Sequence, residues 1–231
     1  MKKTGVYILF FVLLLTTIIL GKIFSADIQK DLVKEKRVFL YPVDKSFIEE
    51  GEIMKSINLE DSIWGHIKVK NIENNLMKNP YVAGAEVFKD LNGRLYAYIE
   101  QYHPVARVIG NKSYYIDDHG KKRPLSKHYT ENVLLVFGNP GKEQTREIYE
   151  LAALINEDPL LKEIITEIHL KNRRYLLKTK DLKAAVLFGD TLDKKEKFDK
   201  LKAIYLYLTK NKLNKKYQKI NLIYNNQVVC N

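Results

Sequence analysis

A single cysteine, Cys230, in 231 residues excludes an intramolecular disulfide framework and any cysteine-based zinc site. Acidic side chains are also scarce: 28 Asp and Glu stand against 39 Lys and Arg, a formal charge of +11. With 45% hydrophobic and 29% charged residues, the chain is not a mostly disordered tail, a collagen-like repeat or a multi-spanning membrane protein. Catalytic signatures are missing. The five histidines, His66, His103, His119, His128 and His169, form no HExxH or comparable ligand pair, and there is neither a Gly-x-Ser-x-Gly elbow nor a phosphate-binding glycine loop. Asp117-Asp118-His119 has metal-ligand chemistry, but neighbours in a tight turn point apart and Gly120 marks them as turn formers. The chain therefore reads as a non-enzyme with no cofactor, no metal and no small-molecule substrate.

What is present begins with an unbroken apolar run, residues 6–20, behind Met1-Lys2-Lys3. Counted from Gly5 to Phe24 it would make about 30 Å of helix, with Lys22 placed to snorkel, which predicts a transmembrane anchor over 5–24. A cleaved signal peptide is the competing reading. The run is at or beyond the roughly 7–15 residues of such segments, and Phe24 is large where a small residue is needed. The lysine distribution predicts a cytoplasmic N-terminus at residues 1–4, a stalk over 25–36 and the bulk of the chain outside the cytoplasm. A domain there meets no chromosomal DNA, so the basic excess is not a nucleic-acid footprint. A lone thiol also fits an oxidising compartment.

Two modules follow. In the first, over 37–101, a short β-rich run at 38–43 precedes helical spacing at 47–57 and 69–79, the latter ended by Asn79-Pro80. Strands at 83–88 and 94–100 flank a turn ending in Asn92-Gly93, giving the order β-α-α-β-β. The second module, 102–231, is strand-rich. Its strands are expected at 106–109, 113–116, 132–137, 165–170, 175–179 and 184–188, with helices whose buried faces are Ile148, Leu151, Ala152, Ile155 and Phe198, Leu201, Tyr205, Leu208. A last strand is expected over 220–229. Unbroken alternation puts Cys230 with Ile220, Leu222 and Tyr224, while an Asn225-Asn226 bulge would flip the later residues. The expected class is thus α+β: a transmembrane helix, a β-α-α-β-β domain, and a mixed domain with an antiparallel-rich sheet and a C-terminal strand. Trp64, Tyr96 and Tyr98 read as packing or sheet-surface residues.

The arrangement resembles the FtsQ/DivIB family of bacterial cell-division proteins across nearly the whole chain. Asn79-Pro80-Tyr81-Val82 with Ala85-Glu86-Val87 is similar to the family's link from helix to hairpin in its polypeptide-transport-associated (POTRA) domain. Residues 95–101 with Pro104-Val105-Ala106-Arg107 resemble the strand leading out of that domain. Ser113-Tyr114-Tyr115-Ile116-Asp117 with Gly120, Gly189-Asp190-Thr191 and Ile220-Asn221-Leu222-Ile223-Tyr224 resemble segments of its second domain. Gln101 and Ile223 depart from the family's usual Glu and basic residue. The resemblance implies a non-enzymatic divisome scaffold of the plasma membrane and septum. It binds single-span coiled-coil partners of the FtsB/FtsL type by strand addition and helps control septal peptidoglycan synthesis. The other reading of a POTRA module is a periplasmic binder or chaperone of exported polypeptides.

Periodicity alone does not tell an edge strand from a central one, but the resemblance implies a docking edge over 220–229. The expected contact residues are Ile223, Tyr224, Asn225, Asn226 and Gln227, with Arg173 and Arg174 facing partner carboxylates. Between Lys194 and Lys219 lie 10 lysines against Glu196 and Asp199, a local +8. That run reads either as a solvated face or as a field steering acidic partner segments to the adjoining strand.

Overall fold

A computed structural model describes residues 11–23, 38–41, 46–57, 68–90 and 94–231. The chain divides into two compact units, Met1–Glu100 and Gln101–Asn231. The expected transmembrane helix is corrected. Residues 11–23 are helical, α1, and among the described residues no helix is long and apolar enough to cross a membrane. Residues 5–10 and 24 of that expectation, the 25–36 stalk, the Asn92-Gly93 turn, Trp64 and His66 lie outside the described residues.

In the first unit β1 (Val38–Tyr41), α2 (Glu50–Ile57), α3 (Val69–Leu76), β2 (Val82–Lys89) and β3 (Leu95–Gln101) form a sheet in the order β1-β3-β2 with two helices. Strand β3 alternates as a half-buried strand must: Leu95, Ala97 and Ile99 are buried while Tyr98 and Glu100 face outward. Ile53 and Ile57 of α2 and Ile72 and Leu76 of α3 supply the helical side of the core. Helix α3 stops at Leu76, and Asn79 closes the following turn by accepting the Tyr81 amide on Oδ1 at 3.0 Å. Glu73 reaches from α3 to accept the Val87 amide at 3.1 Å, a bond that with Lys70 holds its carboxyl below the ordinary value.

The second unit is a nine-stranded mixed sheet. Its strands are β4 (Pro104–Ile109), β5 (Tyr114–Asp117), β6 (Lys122–Arg123), β7 (Leu134–Phe137), β8 (Ile165–Lys171), β9 (Arg174–Thr179), β10 (Ala185–Gly189), β11 (Lys219–Asn221) and β12 (Val229–Cys230). Their order is β12-β11-β10-β9-β8-β7-β4-β5-β6. Parallel pairs need long crossovers, and helices provide two of them. Helices α4 (Lys142–Glu157) and α5 (Pro159–Ile164) join the parallel strands β7 and β8, and α6 (Lys194–Lys210) joins β10 and β11. Ile148, Leu151, Ala152 and Ile155 of α4 and Phe198, Leu201, Tyr205 and Leu208 of α6 are buried with Val136, Ile168, Leu177, Val186 and Ile220 in one core.

These registers sort the loops by end. At one end, here the near end, β4, β7, β8, β10 and β11 begin. At the far end lie the Asn172-Arg173 turn, the segment after Gly189, and the segment after Asn221.

The expected strand over 220–229 is not one strand. Only Lys219–Asn221 and Val229–Cys230 pair, and they pair with each other as antiparallel neighbours. Asn221 ends β11 because its Oδ1 accepts the Ile223 amide at 3.0 Å, and Asn226 takes the left-handed conformation, φ +57°, that lets the chain reverse. The Ile220–Cys230 pairing still sets the thiol against the core, and burial pushes its pKa up.

Helix α6 ends in a Schellman motif: the Leu213 amide bonds Leu208 O at 2.8 Å and the Lys212 amide bonds Thr209 O at 3.1 Å. Lys212 therefore occupies the left-handed C′ position, φ +57°, where glycine is favoured. Lys212→Gly is expected to raise unfolding stability by about 0.5–1 kcal/mol in denaturant titration. A destabilised variant would contradict this account of the helix end.

Candidate functional site

Loop residues 222–228 leave the sheet between β11 and β12 and cross the start of α6. Leu222 makes the last ladder bond, its amide to Leu187 O at 3.0 Å, and is fully buried. The next five residues, Ile223, Tyr224, Asn225, Asn226 and Gln227, are all exposed. Their backbone is nevertheless held. Lys200 of α6 donates to the Tyr224 carbonyl at 2.9 Å while paired with Glu196 at 3.1 Å. Ile223 packs on Gly189, whose φ of +82° and missing side chain are both needed: a Cβ there would sit 2.8 Å from Ile223 Cγ1. The resemblance segment Gly189-Asp190-Thr191 thus has a local cause, a turn that seats the loop.

Beside the loop, Glu196, Lys200, Ala203, Ile204 and Tyr207 share one stripe of α6 and form, with Asn226, Gln227 and Val228, an open groove of about 460 Å³. Sequence reasoning missed this stripe. Its signal was present: Ile204 and Tyr207 are apolar yet stand off the buried series Phe198, Leu201, Tyr205, Leu208.

Arg173 and Arg174 belong to the β8–β9 turn, where Asn172 and Arg173 are both left-handed, φ 49° and 59°, as a two-residue hairpin requires. Tyr175 pairs with Gly189, so this turn lies at the same end of the sheet as 223–227, with β10 between. The structure does not leave Arg173 free: its Nη2 is 3.5 Å from Glu143 Oε2.

Under the loop, Lys197 is almost fully buried. It donates to Asp190 Oδ1 at 2.7 Å and Asp190 O at 3.1 Å, with its ammonium over the Phe188 ring. Its hydrogen bond is the main reason the Asp190 carboxyl stays below 3.8. A carboxyl depressed by folding adds stability above its unfolded pKa and loses it as pH falls through the folded one. The difference in unfolding midpoint between the natural chain and Asp190→Asn is therefore expected to be full at neutral pH and to close in acid, as the pH falls through the depressed pKa of the folded state. A difference that does not change between those conditions would refute the linkage.

Asp117, Asp118 and His119 do bring ligand atoms within 4.8 Å of one another. Turn formation accounts for them. Buried Asp117 accepts the His119 and Lys121 amides on Oδ1, at 3.0 and 2.8 Å, and Arg123 Nε on Oδ2 at 2.8 Å. Arg123 in turn stacks 3.3 Å from the Tyr102 ring centroid.

A family model described as FtsQ/DivIB, C-terminal related, matches residues 103–231, more than half of the chain and the whole of this sheet. The cell division protein DivIB of Clostridium tetani (strain Massachusetts / E88) is 25% identical over 181 residues, 71% of this chain and 67% of that protein. Among solved structures, the major extracytoplasmic domain of the trans isomer of DivIB from Geobacillus stearothermophilus is 17% identical. It covers 34% of this chain and 71% of that one, with a TM-score of 0.26.

Proposed function

The chain belongs to the FtsQ/DivIB family of cell-division proteins, and on that premise we propose that it is a scaffold of the bacterial divisome that holds its partners at the far end of the C-terminal sheet. The observation that carries this is the exposed but anchored loop 223–227, which leads directly into β12, the outermost strand of the sheet order. An incoming partner strand pairs along β12, and Tyr224, Asn225, Asn226 and Gln227 select it through side-chain contacts. Because the sheet edge is Val229–Cys230, the hydrogen-bonding surface is shorter than a strand over 220–229 would offer, and the loop and groove supply the rest. The partners are single-span coiled-coil proteins of the FtsB/FtsL type, and the first unit, with its β-α-α-β-β order, is the POTRA domain. The folded units work on the outer side of the plasma membrane at the septum, without catalysis of their own.

Truncation after Lys219 is a poor test, because it removes Ile220 and Leu222, both fully buried. Tyr224→Ala combined with Gln227→Ala touches only exposed side chains. This variant of the full chain is expected to capture the co-expressed partners at least about tenfold less well, the loss of a few contacts near a hot spot, at an unchanged unfolding midpoint. Undiminished capture would remove the loop from the interface. A fluorescent fusion that forms no mid-cell ring, with normal division after depletion, would refute the divisome reading itself.

A further inference from the structure

The lysine run does not act as one field. Lys194, Lys197, Lys200 and Lys202, in the first half of α6, are ion-paired with Glu150, Asp190, Glu196 and Asp158. The remaining excess sits a helix length away. Lys210, Lys212, Lys215, Lys216 and Lys219 are exposed, and none has a carboxylate partner among the described residues. Lys183 joins them, because its amide bonds Asn214 O at 3.0 Å and the next turn is tied by the Ala185 amide to Gln218 O at 3.0 Å. Asp181, beside Lys183, accepts the Tyr205 hydroxyl and pairs with none of these lysines, leaving six cations against its one charge. Because β10 and β11 run parallel and both begin here, this cluster occupies the near end of the sheet, opposite loop 223–227. It is therefore not placed to steer a partner onto that loop.

We propose that this lysine end seats on an anionic lipid surface through its phosphate headgroups. Two observations favour lipid over an acidic polypeptide. All six cations are lysines, mobile point charges suited to a diffuse sheet of anions rather than to shaped carboxylate recognition, for which arginine forks are better. Exposed Leu206 stands one turn before Lys210, and half-buried Tyr217 lies under Lys216 at 5.2 Å, the mixed composition of interfacial surfaces. Seating this end on lipid turns loop 223–227 away from the surface, toward partners. The proposal stands apart from the docking reading, since it uses no residue of that loop.

Amine acetylation read by mass spectrometry on the full chain tests it, on vesicles of about three parts phosphatidylcholine to one part phosphatidylglycerol and on phosphatidylcholine alone. The six lysines are expected to react at least about threefold more slowly on the anionic vesicles and to recover in about 0.5 M NaCl, which screens charge within a few ångströms. Lys195, exposed at the opposite end of α6, is expected to react alike on both, which separates contact from general depletion of reagent. Lys215→Glu with Lys216→Glu is expected to return Lys183 and Lys219 to their neutral-vesicle rates, whereas Tyr224→Ala leaves their protection intact. Equal rates on the two vesicles would overturn the proposal. So would protection by soluble polyglutamate on neutral vesicles without any effect of anionic lipid, which would assign the cluster to an acidic polypeptide.

Discussion

Asp117→Ala is expected to lower unfolding stability by about 3–5 kcal/mol, the cost of leaving a partly buried guanidinium and two turn amides without their buried acceptor. Asp117 is fully buried, and its two oxygens serve the His119 and Lys121 amides and Arg123 Nε. Removing it orphans two turn amides and a cation that also stacks on Tyr102. Asp117→Asn keeps its one oxygen as acceptor for the two amides but turns its NH2 group toward Arg123, so it is expected to recover only part of the loss. Denaturant titration of the full chain measures both. A loss under about 1 kcal/mol, the worth of an exposed pair, would show that the turn is not held as described. The same accounting bears on the Asp117-Asp118-His119 grouping. With the lone pairs of Asp117 committed to the turn, chelator and added divalent cation are expected to leave the unfolding midpoint unchanged.

Gly189→Ala has the second large effect. The left-handed φ of +82° costs a side chain about 1–2 kcal/mol, and the new methyl would sit 2.8 Å from Ile223 Cγ1 and 3.2 Å from its Cδ1. The Ile223 side chain or the loop that carries it must shift, so the total is expected to reach about 2–3 kcal/mol, with the seat of loop 223–227 disturbed. The informative measurement is a pair: stability by denaturation and capture of partner by the full chain. Ile223→Ala removes the clashing atoms, and the double variant is expected to recover about the steric part of the loss while keeping the φ cost. If Gly189→Ala alone leaves both stability and capture unchanged, the turn does not position the loop.

The site was only partly legible in the sequence. The five residues 223–227 stand together and exposed because Asn221 and Asn226 are both turn formers, and the Asn225-Asn226 pair marked the place. Which way it acted was not legible. A bulge keeps a strand going and a reversal ends it, and the difference depends on Lys200 reaching the Tyr224 carbonyl from a helix more than twenty residues earlier. Arg173 and Arg174 lie in the turn that their spacing indicates. That Glu143 engages Arg173 follows from α4 lying beside the start of β9, where the Tyr175 hydroxyl donates to Glu147, a contact with no signature in either segment.

By itself, the sequence determined the two long helices of the second unit and their buried faces, because a 3.6-residue period written in Ile, Leu, Phe and Tyr leaves one solution, and it located most of the strands between them, though not their order in the sheet. It also determined that the protein is basic and nearly free of cysteine. Only the tertiary structure overturned the expected spanning segment, since among the described residues no helix is long and apolar enough to cross a membrane. Only the structure, too, folded the last strand back on itself and divided the lysine run. A run of 10 lysines has one composition but two ends, and a helix of 17 residues carries those ends about 25 Å apart. Its acidic partners, Glu150, Asp158 and Asp190, come from elsewhere in the chain, so which charges are neutralised and which remain for a partner is a property of packing.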